Sequence, residues 1–326
     1  VSTQRRNEAP VPPVPAHSPD DTPRPALDAV CVGETMALLV PEAPGHTAPR
    51  FHTEIGGAES NVAVHLARAG RRVAWRSALG DDVFGHHVRE RLTDTGVRCL
   101  VREDTERSTG LYMKEPSSGG TRVRYWRRGS AASALHPGDA AEVWRWRPRL
   151  VHTTGITAAL SDTARGLVGE LFERTPPGTL RCFDVNYRPA LHGPANAGLL
   201  LDLARGADVV FCGLDEARAL WGVRTLPDLV AHLTGRAPSP GLLVVKQGAE
   251  GATAVRDGHS WFEPAPPVEV VEPVGAGDAF AAGFLHRLLD DAPLPDCLSE
   301  GARLAGVVLG LPGDIPPRPE GSAAAR

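Results

Sequence analysis

The chain has little of what marks several protein classes. No apolar run reaches the ~18–20 residues of a membrane-spanning helix, so no membrane partner is expected. Basic residues are dispersed and the formal net charge is only −4, which gives no nucleic-acid surface. The five cysteines, Cys31, Cys99, Cys182, Cys212 and Cys297, contain no Cys-x-x-Cys pair. Their odd number and their mostly apolar, strand-like surroundings suit buried free thiols in a reducing cytoplasm, and disfavour disulfides or zinc. The twelve histidines show no His-Glu-x-x-His or other ligand spacing, so no transition metal is assigned. Two nucleotide fingerprints are also missing. There is no Gly-x-x-x-x-Gly-Lys-Ser/Thr loop, and Gly56-Gly57 precedes a helical stretch without the third glycine of a dinucleotide-binding turn.

What is present suits one large α/β domain. The 326 residues are 42% hydrophobic, enough for a sizeable core. Residues 1–26 are a separate zone with Pro10, Pro12, Pro13, Pro15, Pro19, Pro23 and Pro25 and almost no large apolar residue. They are expected to form a disordered tail, and they offer no apolar stretch to a signal peptide. Residues 316–326 are expected to be a loose C-terminal tail, leaving 27–315 as the folded domain.

Short apolar runs alternate with helical patterns. Ala29–Val32 reads as a strand ending at Gly33-Glu34. Ser60–Ala69 reads as a helix stopped by Gly70, Val73–Leu79 as a strand, and Val83–Thr95 as a helix stopped by Gly96. Leu111–Lys114 and Thr121–Trp126, around a turn at Ser117–Gly120, read as a β-hairpin standing apart. Leu150–Thr154, Leu180–Asp184, Val209–Cys212 and Leu242–Lys246 are further strands, the first three followed by helical patterns. Helix-length spacing between such strands predicts a mostly parallel sheet with both faces covered. Chemistry then collects at strand carboxyl ends. Gly33 and Glu34, Asp184 and Asn186, Gly213 to Glu216, and Lys246 to Gly248 stand at those ends.

The strongest chemical signal is Gly275-Ala276-Gly277-Asp278, followed by a helical stripe of Phe280, Phe284 and Leu288. Two glycines permit a tight turn whose amides point one way, at a helix start where dipole and free N–H groups favour an anion. A carboxylate in that first turn can take a proton from an attacking hydroxyl while the amides hold developing phosphoryl charge.

This turn and its Ala/Gly/Phe-rich helix resemble the C-terminal signature of the PfkB, ribokinase-like carbohydrate kinases. Gly56-Gly57-Ala58-Glu59-Ser60-Asn61-Val62-Ala63, with Gly80-Asp81-Asp82-Val83-Phe84-Gly85 beyond it, resembles the N-terminal signature. The resemblance runs from about Ala29 to about Asp314. It implies a ribokinase-like three-layer α/β/α sandwich with a small β lid drawn from parts of 38–55 and 109–127. It implies that Asp278 is the catalytic base, that Gly275, Ala276 and Gly277 form an anion hole, and that Gly56, Gly57 and Asn61 lie on the sugar side. Lys246, Gly248 and Gly251 would lie by ATP, and Glu216 would meet Mg2+ through water. Two departures stand out. Gly213 occupies the Asn position of the usual Asn-x-x-Glu, and Glu272-Pro273 replaces an Asp-Thr pair linked to a monovalent cation, which leaves potassium activation open. Lids of this family often pair between subunits, so a homo-oligomer through the lid is expected.

Thr109–Tyr112, Tyr125–Ser133 and Phe183–Arg188 resemble, within that family, the 2-dehydro-3-deoxygluconate (KDG) kinases. That likeness implies that Tyr112, Tyr125, Arg127 and Arg188 contact a sugar acid. The chemistry agrees, because guanidinium groups hold carboxylates bidentately and a neutral sugar needs no such partner. The expected activity is phosphorylation of KDG by MgATP at its terminal hydroxyl. The alternatives are a kinase for fructose, ribose or 5-dehydro-2-deoxygluconate, a silent sugar- or nucleotide-binding regulator, and, from another class, a nicotinamide-dependent oxidoreductase. The two epimeric acids, gluconate and galactonate, are not separated by sequence.

Overall fold

A strand covered on both faces needs apolar side chains at every position, and several segments here supply them. The structure, a computed structural model, describes residues 26–42, 50–117, 120–193, 196–311 and 313. The expected tails, apart from residue 26, and part of the Ser117–Gly120 turn lie outside the described residues. Among those described, the strands are β1 Ala29–Val32, β2 Met36–Pro41, β3 Phe51–Gly56, β4 Val73–Gly80, β5 Arg98–Asp104, β6 Leu111–Ser117, β7 Gly120–Trp126, β8 Leu150–Thr154, β9 Leu180–Asp184, β10 Val209–Gly213, β11 Leu242–Lys246, β12 Gly251–Arg256 and β13 His259–Pro264.

They form two sheets. The larger has the order β13-β12-β11-β10-β9-β8-β1-β4-β5, and the smaller β3-β2-β6-β7. From β5 to β11 the large sheet is parallel, while β12 and β13 are antiparallel additions at one edge. Period-two alternation divides the side chains between two apolar clusters. Val30 of β1, Val210 of β10 and Leu243 of β11 enter one, and Cys31, Phe211 and Val244 enter the other. All five cysteines are free, and four are buried. Helices cover both faces, as the sequence predicts. Burial of each such Val, Leu or Phe side chain contributes about 1.5–3 kcal/mol.

Boundaries shift modestly from the sequence reading. The first helix is Ala58–Arg68, two residues earlier than expected, because Gly57 and not Glu59 is the half-in residue at its start. It ends before Gly70, which adopts φ +85°, and the helix Val83–Asp94 likewise ends before Gly96 at φ +89°. The hairpin β6–β7 does stand apart: β6 pairs in parallel with β2, which carries β3. The small sheet is therefore the expected lid, with β2 beginning at Met36. Its buried apolar cluster is only Met36, Leu38 and Tyr112, with Val40 and Val123 against it.

Between β1 and β8 the strand order reverses direction, since the chain goes from β1 outward through β4 and β5 before returning at β8. Such a reversal opens a crevice at the carboxyl ends of the strands. The lid stands over that crevice.

Candidate active site

A cavity of about 900 Å³ lies between the lid and the carboxyl ends of the large sheet. One wall is the start of the helix Ala276–Leu288. Gly275 caps it at φ 84°, a left-handed conformation that glycine adopts without strain. Phe280 and Phe284 of this helix pack into the core, with Phe284 edge-on to Phe211 of β10. That packing fixes the helix start, whose first amides have no intrahelical partner. Asp278 follows in the first turn and faces the cavity.

Asp278 is held from two sides. Asn61 Nδ2 donates to its Oδ2 at 2.8 Å, and Asn186 Nδ2 reaches its Oδ1 at 3.4 Å. Asn61 comes from the first helix, which Gly57 admits. A Cβ on Gly57 would lie 2.3 Å from the Glu34 carbonyl oxygen, so only glycine allows this approach. Asn186 sits just past β9 at φ 43°, where Asn is one of the few tolerated side chains. Burial pushes the Asp278 carboxyl up to about 7; the Asn61 hydrogen bond opposes this and the Asp184 charge reinforces it.

Beside it is a second charged group. Lys246 Nζ donates to Asp184 Oδ2 at 2.7 Å, and Asp184 Oδ1 accepts the Asn186 backbone N–H at 3.2 Å. Burial alone would lower the Lys246 pKa, but the charges of Asp184 and Glu216 overcome it and hold the ammonium above its usual range. Glu216 Oε2 accepts the Gly213 N–H at 3.1 Å, so it closes the start of its own helix while also lining the cavity. Burial raises its carboxyl, with the Lys246 charge opposing.

The lid supplies the opposite wall. Tyr112 and Lys114 alternate onto the inner face of β6, and Val123 and Tyr125 sit opposite them on β7. The two tyrosines stack with centroids 5.8 Å apart. Arg127 follows β7 and lines the cavity, with its guanidinium 5.8 Å from the Tyr125 ring centroid. Its Nη2 pairs with Glu34 Oε2, and Ser130 Oγ donates to Glu34 Oε1. Arg188 reaches the cavity from past β9; it donates to the Tyr187 carbonyl oxygen at 3.0 Å and stands 3.9 Å from Glu216. The Arg127 side chain is 14% exposed and the Arg188 side chain 48%, so only the first is desolvated and fixed.

The residues expected from sequence gather here with three exceptions. Gly275, Gly277, Asp278, Gly56, Gly57, Asn61, Tyr112, Tyr125, Arg127, Arg188, Lys246 and Glu216 line one cavity. Ala276 opens the helix behind that lining. Gly248 and Gly251 are off it too. Gly251 allows β12 to pass β13, since a Cβ there would lie 2.1 Å from the Glu263 carbonyl oxygen. Three features were not assigned from sequence: the Asn186 contact with Asp278, the Glu34 clamp on Arg127, and an ion pair at 3.2 Å between Lys114 and Glu272. One available signal bears on the last. Lys114 and Lys246 are the chain's only lysines.

Comparison with known proteins points to one family. The family whose sequence profile matches residues 26–321 is described as pfkB family carbohydrate kinase. A 2-dehydro-3-deoxygluconokinase of Thermoproteus tenax is 34% identical over 297 residues, covering 88% of this chain and 90% of that one. A 2-dehydro-3-deoxygalactonokinase of Haloferax volcanii is 34% identical over 295 residues, covering 88% and 92%. Among solved structures, a PfkB protein from Polaromonas sp. JS666 superposes with a TM-score of 0.80 at 36% identity, covering 89% of this chain and 98% of that one.

Proposed function

The chain belongs to the pfkB family of carbohydrate kinases, and from that premise we propose that it phosphorylates 2-dehydro-3-deoxy-D-gluconate at its terminal hydroxyl, with ATP as donor. The products are the 6-phosphate and ADP. The observation that carries the acidic substrate is Arg127, a buried guanidinium on the cavity wall whose position Glu34 and Ser130 fix. A pocket for a neutral sugar gains nothing from a desolvated arginine.

In this reading the sugar carboxylate lies against Arg127, with Arg188 at the more open side. Tyr112 and Tyr125 pack beside it, and the terminal hydroxyl points at Asp278. Asp278 accepts the hydroxyl proton as the oxygen attacks the terminal phosphorus of ATP. A new P–O bond forms to the sugar, the bond to ADP breaks, and ADP leaves with that electron pair. The Gly275–Gly277 amides meet the equatorial oxygens of the group in transit. Asn61 and Asn186 orient the carboxylate and Lys246 adds positive charge nearby. Gly248, past β11, belongs to the nucleotide side of this reading, and Gly251 serves the strand beside it. The lid covers the sugar and excludes water.

Magnesium binds through one or two carboxylates plus substrate phosphates. Glu216, a cavity carboxylate in the first turn of the helix after β10, fits that demand and would meet the ion through water. The ion would supply charge neutralisation on the phosphates. Work in the cytoplasm suits five free cysteines and a need for ATP. Exposed Phe51 and Trp126, on the lid's edge strands β3 and β7, support pairing of two copies through the lid, which light scattering would read.

A coupled ADP-release assay across a sugar panel tests the substrate. The panel contains KDG, its galactonate epimer, 5-dehydro-2-deoxygluconate, fructose and ribose. The expected result is the highest kcat/KM on KDG. Fructose or ribose as the best substrate contradicts the proposal, and sugar-acid binding without ADP release removes the activity altogether.

A further inference from the structure

The chain carries 35 lysine and arginine residues, of which only Lys114 and Lys246 are lysine. Wherever else a cation is used, arginine serves. Both lysines line the same cavity, from opposite walls. The lining is a small fraction of the chain, so the coincidence calls for a cause. The two positions therefore share a demand that arginine does not meet. An ammonium is a compact point charge with three rotatable donors, whereas guanidinium is a wider planar fork. A compact charge suits a phosphoryl group whose oxygens move during transfer.

Lys246 stands by the anion turn: a Cβ added at Gly277 would lie 3.5 Å from its Nζ. Lys114 approaches from the lid and meets the segment that leads into this turn. Its side chain is buried and its Nζ lies 3.2 Å from Glu272 Oε2. Glu272 Oε1 in turn accepts the backbone N–H of Val274 at 3.4 Å, the residue before Gly275. The lid ammonium is thus tied, through one carboxylate, to the backbone that leads into the anion turn. A mere latch between lid and body would be met equally by arginine, which serves in most ion pairs among the described residues and in the other lid-to-body clamp, Arg127–Glu34.

We propose that Lys114 is a further catalytic residue, an ammonium delivered by the lid to the phosphoryl group in transit and held ready by Glu272. No proton changes hands at Lys114; it donates hydrogen bonds to phosphoryl oxygens while Asp278 takes the hydroxyl proton. The inference rests on the carbohydrate-kinase activity and on no particular sugar, so it is tested with whichever sugar the panel shows to be best.

The experiment measures kcat and sugar KM for wild type, Lys114→Met, Lys114→Arg and Glu272→Gln, with thermal unfolding of each. Lys114→Met is expected to lower kcat by about 10²-fold, the scale for loss of one donor to a developing oxyanion, with sugar KM little changed. Lys114→Arg is expected to stay low, and Glu272→Gln to lose less than Lys114→Met. Full turnover in Lys114→Arg, equal losses in Lys114→Met and Glu272→Gln, or a loss confined to sugar KM would each reduce the pair to a latch and overturn the inference. A poor result for KDG in the panel, with these variants behaving as expected on another sugar, overturns the substrate reading alone.

Discussion

Asp278, Asn61 and Lys246 hang from helices and strands of the large sheet, with an apolar cluster packed on each of its faces. Tyr112, Lys114 and Arg127 hang from or beside the lid, whose buried apolar cluster is Met36, Leu38 and Tyr112. The body holds its groups mainly by packing, with one internal ion pair between Lys246 and Asp184. Asp278 is fixed by a helix start and two asparagine side chains. The lid holds its groups by charge: Arg127 by Glu34 at the end of β1, and Lys114 by Glu272 in the loop before the anion turn. Both clamps cross from lid to body. A wall that must open to admit a sugar has little core to lose, and ion pairs at its margins set where it closes. Proton transfer is then expected to belong to the body, joined at the phosphoryl group by Lys114, and choice of substrate to the rest of the lid.

The sharpest test of the body is Asp278→Asn. Loss of a general base costs about 10²–10⁴-fold in kcat, and the loss is expected on every sugar the enzyme accepts, with nucleotide binding retained. The folded protein should be more stable at pH 8. Burial raises the Asp278 carboxyl to about 7 from its usual range, so ionising it opposes folding as pH rises through that interval, and the amide avoids this. Turnover near wild type would remove Asp278 from the base role, and a lower melting temperature at pH 8 would remove the desolvation account.

The lid is tested by Arg127→Met combined with Glu34→Gln, which leaves no buried carboxylate unpaired. A loss of roughly 2–4 kcal/mol in kcat/KM is expected for the sugar acid, and a much smaller one for a neutral ketose. Arg188→Leu is expected to cost less than this, because its side chain is 48% exposed. Equal losses on acid and ketose would mean that the arginine only supports the lid, and the division between the two walls would fail.

The pH profile gives a graded effect. Only the ionised Asp278 accepts a proton, so kcat/KM is expected to rise with pH up to about 7 and then level. Below the break it should fall about tenfold per pH unit. A break near the ordinary carboxylate range would show that the base is well solvated in the free enzyme.

The smallest effect concerns monovalent ions. The family resemblance implies a monovalent-cation site where this chain has Glu272-Pro273, and the Glu272 carboxylate here pairs with Lys114. Replacing potassium by a bulky organic cation is expected to change turnover little. Strong potassium activation would contradict a Glu272 carboxylate already neutralised by Lys114.

The parallel strands and the anion turn were legible because each is a local signal. Buried strands such as Val209–Gly213 are apolar throughout, and Gly275–Asp278 is a contiguous motif ahead of an apolar stripe. The edge strands of the large sheet were not read. Arg98–Asp104 is charged, and His259–Pro264 is half exposed, so neither carries the pattern of a covered strand. Cavity membership of Tyr112, Tyr125, Arg127 and Arg188 was legible only through likeness to a family. The clamps were hidden for a different reason. Lys114 and Glu272 are 158 residues apart, and no spacing rule pairs two charges across a cavity that exists only after folding.

The most direct measurement is the crystal structure of the protein with KDG and a non-hydrolysable ATP analogue. The account expects the terminal hydroxyl within about 3 Å of the Asp278 carboxylate, the sugar carboxylate on Arg127, and the analogue's terminal phosphate at the Gly275–Gly277 amides. A sugar bound in reverse, with its carboxylate at Asp278, or one lying outside this cavity, would contradict it.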